Sequence, residues 1–394
     1  MLGIIILAVA YIISHFYRSF LAVLSPQLSA ELNLSPAQLS DALGAWFAAF
    51  ALSQFLVGVM LDKFGPRWTT AGLFAICGSG GGMLFSLAHS HFEVLLGMVL
   101  LGIGCAPILM ASLYIFKRSY DARKFATLAS TFIAVGLLGN ILGASPLAYA
   151  METFGWRAVM MGLSGITLLL SALIMVWVKD PQVLSTTGNS KGGYLEILKM
   201  KELWFILPLV FVNYGVTGGI RGLWAGPYLD LVHGMSAIDI GKVMLAMAIA
   251  MTAGSFAYGP ADRIFNSRKW VVLGGGLCSL TSLLYWNVNP DASPTSVALI
   301  LVVIGFCSLF FGLLMAHATA NIPAHMAGRG VTLVNFFNMG GVGIMQWMCS
   351  EVYRRQVDDT TVLDGFSGVL IFYFVVLAIA LAIYAFSKDS KPAS

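Results

Sequence analysis

Two arginines, Arg18 and Arg221, lie deep inside the apolar stretches GIIILAVAYIISHFYRSFLAVL and LWFILPLVFVNYGVTGGIRGLWAGPYL. A guanidinium near the middle of a membrane span costs on the order of 2.5–3.5 kcal/mol on insertion scales, and arginine cannot shed its proton to avoid that cost. Negative charge offsets it, and the planar fork of donors suits a carboxylate, sulfonate or phosphate. On one helix, Tyr11, His15 and Arg18 fall on a single polar stripe. Asn213, Tyr214, Thr217 and Arg221 share another, with Trp224 a turn beyond. Glycines at 215, 218, 219 and 222 surround Arg221. They predict either a hinge with partial unwinding or close packing through small residues.

The elements that carry these residues are set by composition. Of 394 residues, 58% are hydrophobic and 10% charged, with a mean hydropathy of +0.85. A soluble domain of this size has too little interior for that much apolar surface, so the chain is expected to be an all-α integral membrane protein. The five cysteines sit in apolar segments without CxxC spacing and read as helix-packing residues, with no disulfide or metal site. The N-terminus has no basic region or A-x-A cleavage signal and reads as a retained helix. Apolar runs of about 20 residues give twelve spans, at 3–28, 39–61, 67–88, 93–116, 125–150, 157–178, 203–230, 238–261, 269–288, 294–322, 331–352 and 365–387. Placing both termini in the cytoplasm puts 16 of the 22 Lys and Arg residues on the inner side, which sets the orientation by the positive-inside rule. The division expected is an N-terminal six-helix bundle over 1–178, a cytoplasmic linker over 179–202 and a C-terminal bundle with a short tail over 203–394.

The two halves repeat. GVMLDKFGPRW closes the second span and AYGPADRIFNSRKW the eighth, each with an aspartate, Asp62 or Asp262, followed by basic residues. Pro26 precedes Asp62 by 36 residues and Pro227 precedes Asp262 by 35, so Arg18 and Arg221 hold similar depths in the first helix of each half. Parallel repeats of this kind mark carriers whose substrate sits between two bundles at the midplane. Gly58, Asp62, Gly65 and Arg67 resemble the G-x-x-x-D-x-x-G-x-R loop of the major facilitator superfamily, GPADRIFNSRK resembles its weaker second copy, and FGWR resembles the turn before the sixth span. The resemblance implies alternating access, with helices one, four, seven and ten lining the cavity. Asp62 is expected to cap a helix or pair with Arg67 or Arg123, and Gly58, Asp62, Gly65, Arg67, Asp262 and Arg263 to form a conformational latch; charges that merely anchor the loops are the alternative. Pro66 stands in a slot that is usually basic, and Met98 stands where many relatives, notably proton antiporters, carry an arginine.

A cavity arginine on the first and seventh helices resembles the organophosphate:phosphate antiporters and the anion:cation symporters of that superfamily. WAGPYL resembles the W-x-P-x-Y-L ending of the organophosphate group, with the proline displaced by one. Asp41, Asp230 and Glu351 lie towards outer helix ends, and 11 of the 18 acidic residues fall on or near the outer side. Two fixed cations without an evident deep anion favour an anionic small-molecule substrate; an arginine satisfied by carbonyls or by one of those carboxylates is the alternative. Expected substrate contacts are Arg18, Arg221, His15, Tyr11, Tyr214, Trp224, Tyr114, Asn338 and His317, with Gln54, Thr127, Ser130, Asn140, Asn321, Asn335 and Gln346 as weaker polar candidates. Trp46 and Phe50 would add apolar wall. His15 is the candidate proton carrier, because the charge of Arg18 makes proton and anion binding there mutually favourable. Exchange of one anion for another needs no such group.

The reading is a secondary carrier of a small organic anion, acting as a monomer in a bacterial inner membrane, with the lipid bilayer and protons as partners and no nucleic acid or cofactor. A proton-coupled multidrug efflux antiporter and a transport-inactive receptor are the competing classes. No HExxH, GxSxG or paired intramembrane carboxylates suggest an enzyme.

Overall fold

In lipid every backbone N–H and C=O must be satisfied within its own segment, so apolar runs of this length fold as helices. The computed structural model describes residues 2–181, 194–289, 292–320, 322–323, 326–359 and 361–390, without the side chains of residues 122, 123, 126, 127, 130, 194, 195, 327, 328, 358 and 359. Arg123, Thr127, Ser130, Asn321 and most of the expected linker therefore lie outside the described set.

Among the described residues, eight helices are long and apolar enough to cross a membrane, ten when each of two bent pairs is taken as one span. Two more crossings complete twelve. Pro36–Ser86 counts as one helix of 51 residues, but Gly65 breaks it with φ 81° and ψ 164°. The φ is in the left-handed region, where glycine meets no Cβ penalty, so the segment is a hairpin of two spans. Ala327–Asp359, at 33 residues, is long enough to cross at about 1.5 Å per residue but carries Asn335, Asn338, Gln346 and Ser350. We label the spans α1 (Leu2–Phe16 and Leu21–Leu32), α2 (36–64), α3 (66–86), α4 (His91–Ser119), α5 (Ala122–Gly136, Leu138–Leu142 and Ser145–Phe154), α6 (Trp156–Trp177), α7 (Lys201–His233), α8 (Ala237–Ile264), α9 (Arg268–Val288), α10 (Pro294–Ala320), α11 (Ala327–Asp359) and α12 (Val362–Ala385). An even number of crossings puts both chain ends on one face, the terminal face; the other is the far face.

Helices α1, α4, α7 and α10 are all interrupted near mid-length. The breaks are a turn at residues 17–20, Ala106 before Pro107, a π turn over Ile220–Trp224, and residues 308–310. Pro107 removes a donor and forces the second of these. A break in α5 at Gly143 and Ala144 and a π segment over Phe74–Ser79 in α3 add to the set.

The first six helices meet the last six towards the far face. There Ala22 of α1 packs on Gly226 of α7, Gly44 of α2 on Gly343 of α11, and Ser145 of α5 on Gly241 of α8. The Ser40 hydroxyl lies 2.8 Å from the Gln346 carbonyl and 2.7 Å from its Oε1, and Asp41 pairs with Arg354. Near the terminal face the polar contacts of Asp180, Asp262 and Asp389 each stay within one set of six. Asp180 accepts from the Arg67 main-chain N–H at 2.8 Å, and Asp262 pairs with Arg268 at 3.1 Å. Asp389 accepts from the Lys269 N–H at 3.0 Å; burial opposes its ionisation, but bonds from Ser267 and the Arg268 and Lys269 main chain outweigh that and hold its carboxyl below the ordinary range.

Candidate functional site

Arg18 sits in the break of α1. After Phe16 the N–H groups of Arg18 and Ser19 bond carbonyls three residues back, at 3.2 and 3.0 Å, instead of four. This tighter turn bends the two parts of α1 by 51°. It also swings Arg18 across to α2, where its guanidinium carbon lies 5.6 Å from the Trp46 ring centre and 4.9 Å from that of Phe50. Such ring faces are worth roughly 0.5–2 kcal/mol each, a sizeable share of the cost of the buried charge. Arg18 is 6% exposed, its Nε has no hydrogen-bond partner, and among the described residues its guanidinium donates no hydrogen bond. Tyr11 and His15 point instead to α5. Their rings meet edge-on at 4.7 Å, Tyr11 stacks on Phe132 at 5.0 Å, and both ring nitrogens of His15 are buried without a partner among the described residues. The expected stripe is thus split by the break, although His15 remains within electrostatic reach of both Arg18 and Arg221.

Arg221 lies inside the π turn of α7, 4% exposed. Its Nη1 donates to Asn140 Oδ1 at 3.3 Å and its Nη2 to the Asn140 carbonyl at 2.7 Å, reaching from α7 to α5. A π turn takes one extra residue per turn and shifts the register, so Trp224 does not continue the Arg221 face. Its indole N–H donates to Gln346 Oε1 at 2.8 Å on α11, and Asn213 turns to the Ser308 carbonyl in α10 at 3.2 Å. Tyr214 lies within electrostatic reach of both Tyr11 and Arg221. Gly222 is where α7 crosses α1: a Cβ there would stand 3.2 Å from the Arg18 carbonyl and 2.9 Å from Leu43. The π turn and the close packing therefore coincide. Neither arginine takes part in any ion pair among the described residues.

A buried pair of cations between two sets of six helices is a carrier's arrangement, and the comparisons decide the family. The family model for the Major Facilitator Superfamily matches residues 7–345. The chain belongs to the Major Facilitator Superfamily. It is similar to the "Probable L-galactonate transporter" of Escherichia coli (strain K12), 22% identical, covering 81% of this chain and 69% of that one. It is also similar to "Multidrug resistance protein MdtL" of Escherichia coli O157:H7, 23% identical over 83% of each. Its fold matches that of a bacterial homologue of the human lysosomal transporter Spinster, solved in an inward-facing and occupied conformation, with TM-score 0.77, 19% identity and coverage of 97% and 95%. As a Major Facilitator Superfamily member the chain is a multi-pass membrane transporter with twelve helices in two halves, and not an enzyme.

Within this Major Facilitator Superfamily frame the described loop residues show no pairing of Asp62 with Arg67, and the Arg123 side chain lies outside the described set. Asp62 is exposed and forms no ion pair among the described residues; it faces Tyr114, whose ring carries Arg118 at 4.2 Å. Asp180 fills the position opposite Arg67, because the turn at Gly65 presents the Arg67 N–H to it. In the second copy the partner of Asp262 is Arg268, five residues beyond the exposed Arg263. A cavity of ≈420 Å³ opens beside this pair, between α8 and α10 and away from the arginines. His317 does not join the cluster either: Tyr384 and the Lys388 carbonyl take its two nitrogens at 2.7 and 2.8 Å near the terminal face. Asn338 is buried on α11 with Oδ1 unpartnered, and Gly58 has open space around it. Sequence reasoning missed Asp180, Arg268, Ser40 and Arg354 as contact residues. The only signal for Asp180 is its place at the start of a polar run directly after α6.

Proposed function

We propose that the chain carries a small organic anion, bearing a carboxylate, sulfonate or phosphate, by alternating access between halves 1–178 and 203–394 joined by segment 179–202. One observation carries the reading: Arg18 and Arg221 are buried at mid-span, no carboxylate of the described residues pairs with them, and Arg18 donates no hydrogen bond there. A bidentate anion supplies the missing acceptors. Tyr11, His15, Tyr214 and Trp224 would shape its surroundings. The similarity to a transporter named for a sugar acid supports a carboxylate. The lysine and arginine asymmetry supports a cytoplasmic terminal face, with the carrier acting as a monomer in a bacterial inner membrane. His15 would couple transport to protons in a symport cycle, and anion exchange would run without it.

Purified full-length protein should be stabilised to heat by gluconate, glycerol 3-phosphate or a sulfonate at concentrations well above the dissociation constant. The same protein in liposomes should exchange that anion. The similarity to a multidrug resistance protein favours one competitor, efflux of amphipathic drugs. Stabilisation by such drugs together with none by any anion would overturn the present reading.

A further inference from the structure

The two arginines do not stand alike. Arg18 rests on aromatic faces, while Arg221 commits both terminal nitrogens to Asn140 on the other half. The stronger acceptor of the two, the Asn140 carbonyl, is available because α5 is broken just beyond it. In an unbroken helix that carbonyl would take the N–H of residue 144. Here the Ala144 N–H goes to Ile141 at 3.2 Å, and the Gly143 N–H goes to Gly139 at 3.0 Å. The chain therefore gives up a helical hydrogen bond at mid-membrane and directs the freed oxygen at a guanidinium.

We propose that Asn140 is a tether standing in for the transported anion: it holds Arg221, and with it α7, to α5, and an anion anchored on Arg18 competes for the same donors. This rests on the anion reading above. A carboxylate or phosphate brings a full negative charge and can take the guanidinium fork with two oxygens at once, so the exchange favours the anion. Arg221 Nε, buried and unpartnered, is a further donor for the incoming group. Giving up the tether also loosens the far-face closure, because Ser145 and Ala148, one to two turns further along α5, pack on Gly241 of α8. Anion binding and opening of the far face then share one bond, and Asn140 is a positioning residue.

The test uses the full-length chain in a cysteine-free background, with spin labels at Asn33→Cys and Met235→Cys on the far face. Without any anion, Asn140→Ala, which removes Oδ1 and leaves the main-chain carbonyl in place, should raise the population of long far-face distances about threefold, and Asn140→Asp, which supplies a built-in carboxylate, should suppress it. With gluconate as probe, wild-type distances should lengthen, Asn140→Ala should bind about threefold tighter and Asn140→Asp about tenfold weaker. Binding by Asn140→Ala that falls as far as it does in Arg221→Ala would make Asn140 a ligand contact and overturn the tether. Unchanged anion-free distances in both variants would overturn it too. The anion-free arm reads the tether even where wild type binds no gluconate, glycerol 3-phosphate or sulfonate, a result that sinks the anion reading alone.

Discussion

At the scale of single residues, the chemistry of the site reduces to what a fixed positive charge is given to hold. Arg18 has rings and no acceptor, so a change that keeps its charge but removes the fork tests whether the fork matters. Arg18→Lys should weaken anion binding about ten- to hundredfold while the protein stays folded in the membrane, read by thermal shift with gluconate. Unchanged binding would return Arg18 to a purely structural role. His15 makes a second case. Both its nitrogens are buried and unpartnered among the described residues, so His15→Gln should leave exchange of internal for external anion intact and abolish uptake driven by a pH gradient. Gradient-driven uptake by that variant would exclude His15 as the proton carrier. The arginines were legible in the sequence because a charge in an apolar run is costly and calls for a partner. The partner of Arg221 was harder to read: Asn140 is one of several amides in apolar runs, and only the break in α5 distinguishes it from amides that simply join helices.

At the scale of elements, interruptions matter more than helices. The spans themselves followed from apolar length, but the breaks in α1, α7 and α10 had weak signals. Four glycines flagged α7, Pro107 was a signal in α4 that sequence reasoning missed, and nothing local in residues 17–20 announces a turn. There tertiary packing decides, through the crossing of α1 and α7 at Gly222. A side chain at that crossing would meet Leu43 and the Arg18 carbonyl, and main-chain atoms cannot step aside. Gly222→Val should therefore hold the far face apart. Transport should fall about tenfold or more while a cysteine introduced near the far-face end of α7 becomes more reactive to a soluble maleimide. Retained transport with an unreactive cysteine would show that α1 can bend away.

At the scale of the whole molecule, the described polar contacts between halves gather from mid-depth to the far face, and those near the terminal face stay within a half. The ion pair between Asp41 and Arg354 looks like a lock, yet Arg354 is 43% exposed, and exposed pairs are worth at most about 1 kcal/mol. Arg354→Gln should thus change the far-face opening equilibrium no more than about fivefold, by the same spin-label distances. A larger change would show that the closure depends on this pair more than on the glycine crossings. The most polar crossing adds a consequence for biogenesis. Helix α11 does not qualify as a membrane span on its own hydropathy. A translocon that sorts segments by their own partitioning would leave it in water. It must enter lipid in company, with the strongly apolar α12 emerging just behind it and α2 and α7 already in place to receive its amides. Fused alone into an insertion reporter, α11 should fail to integrate, and the α11–α12 hairpin should succeed.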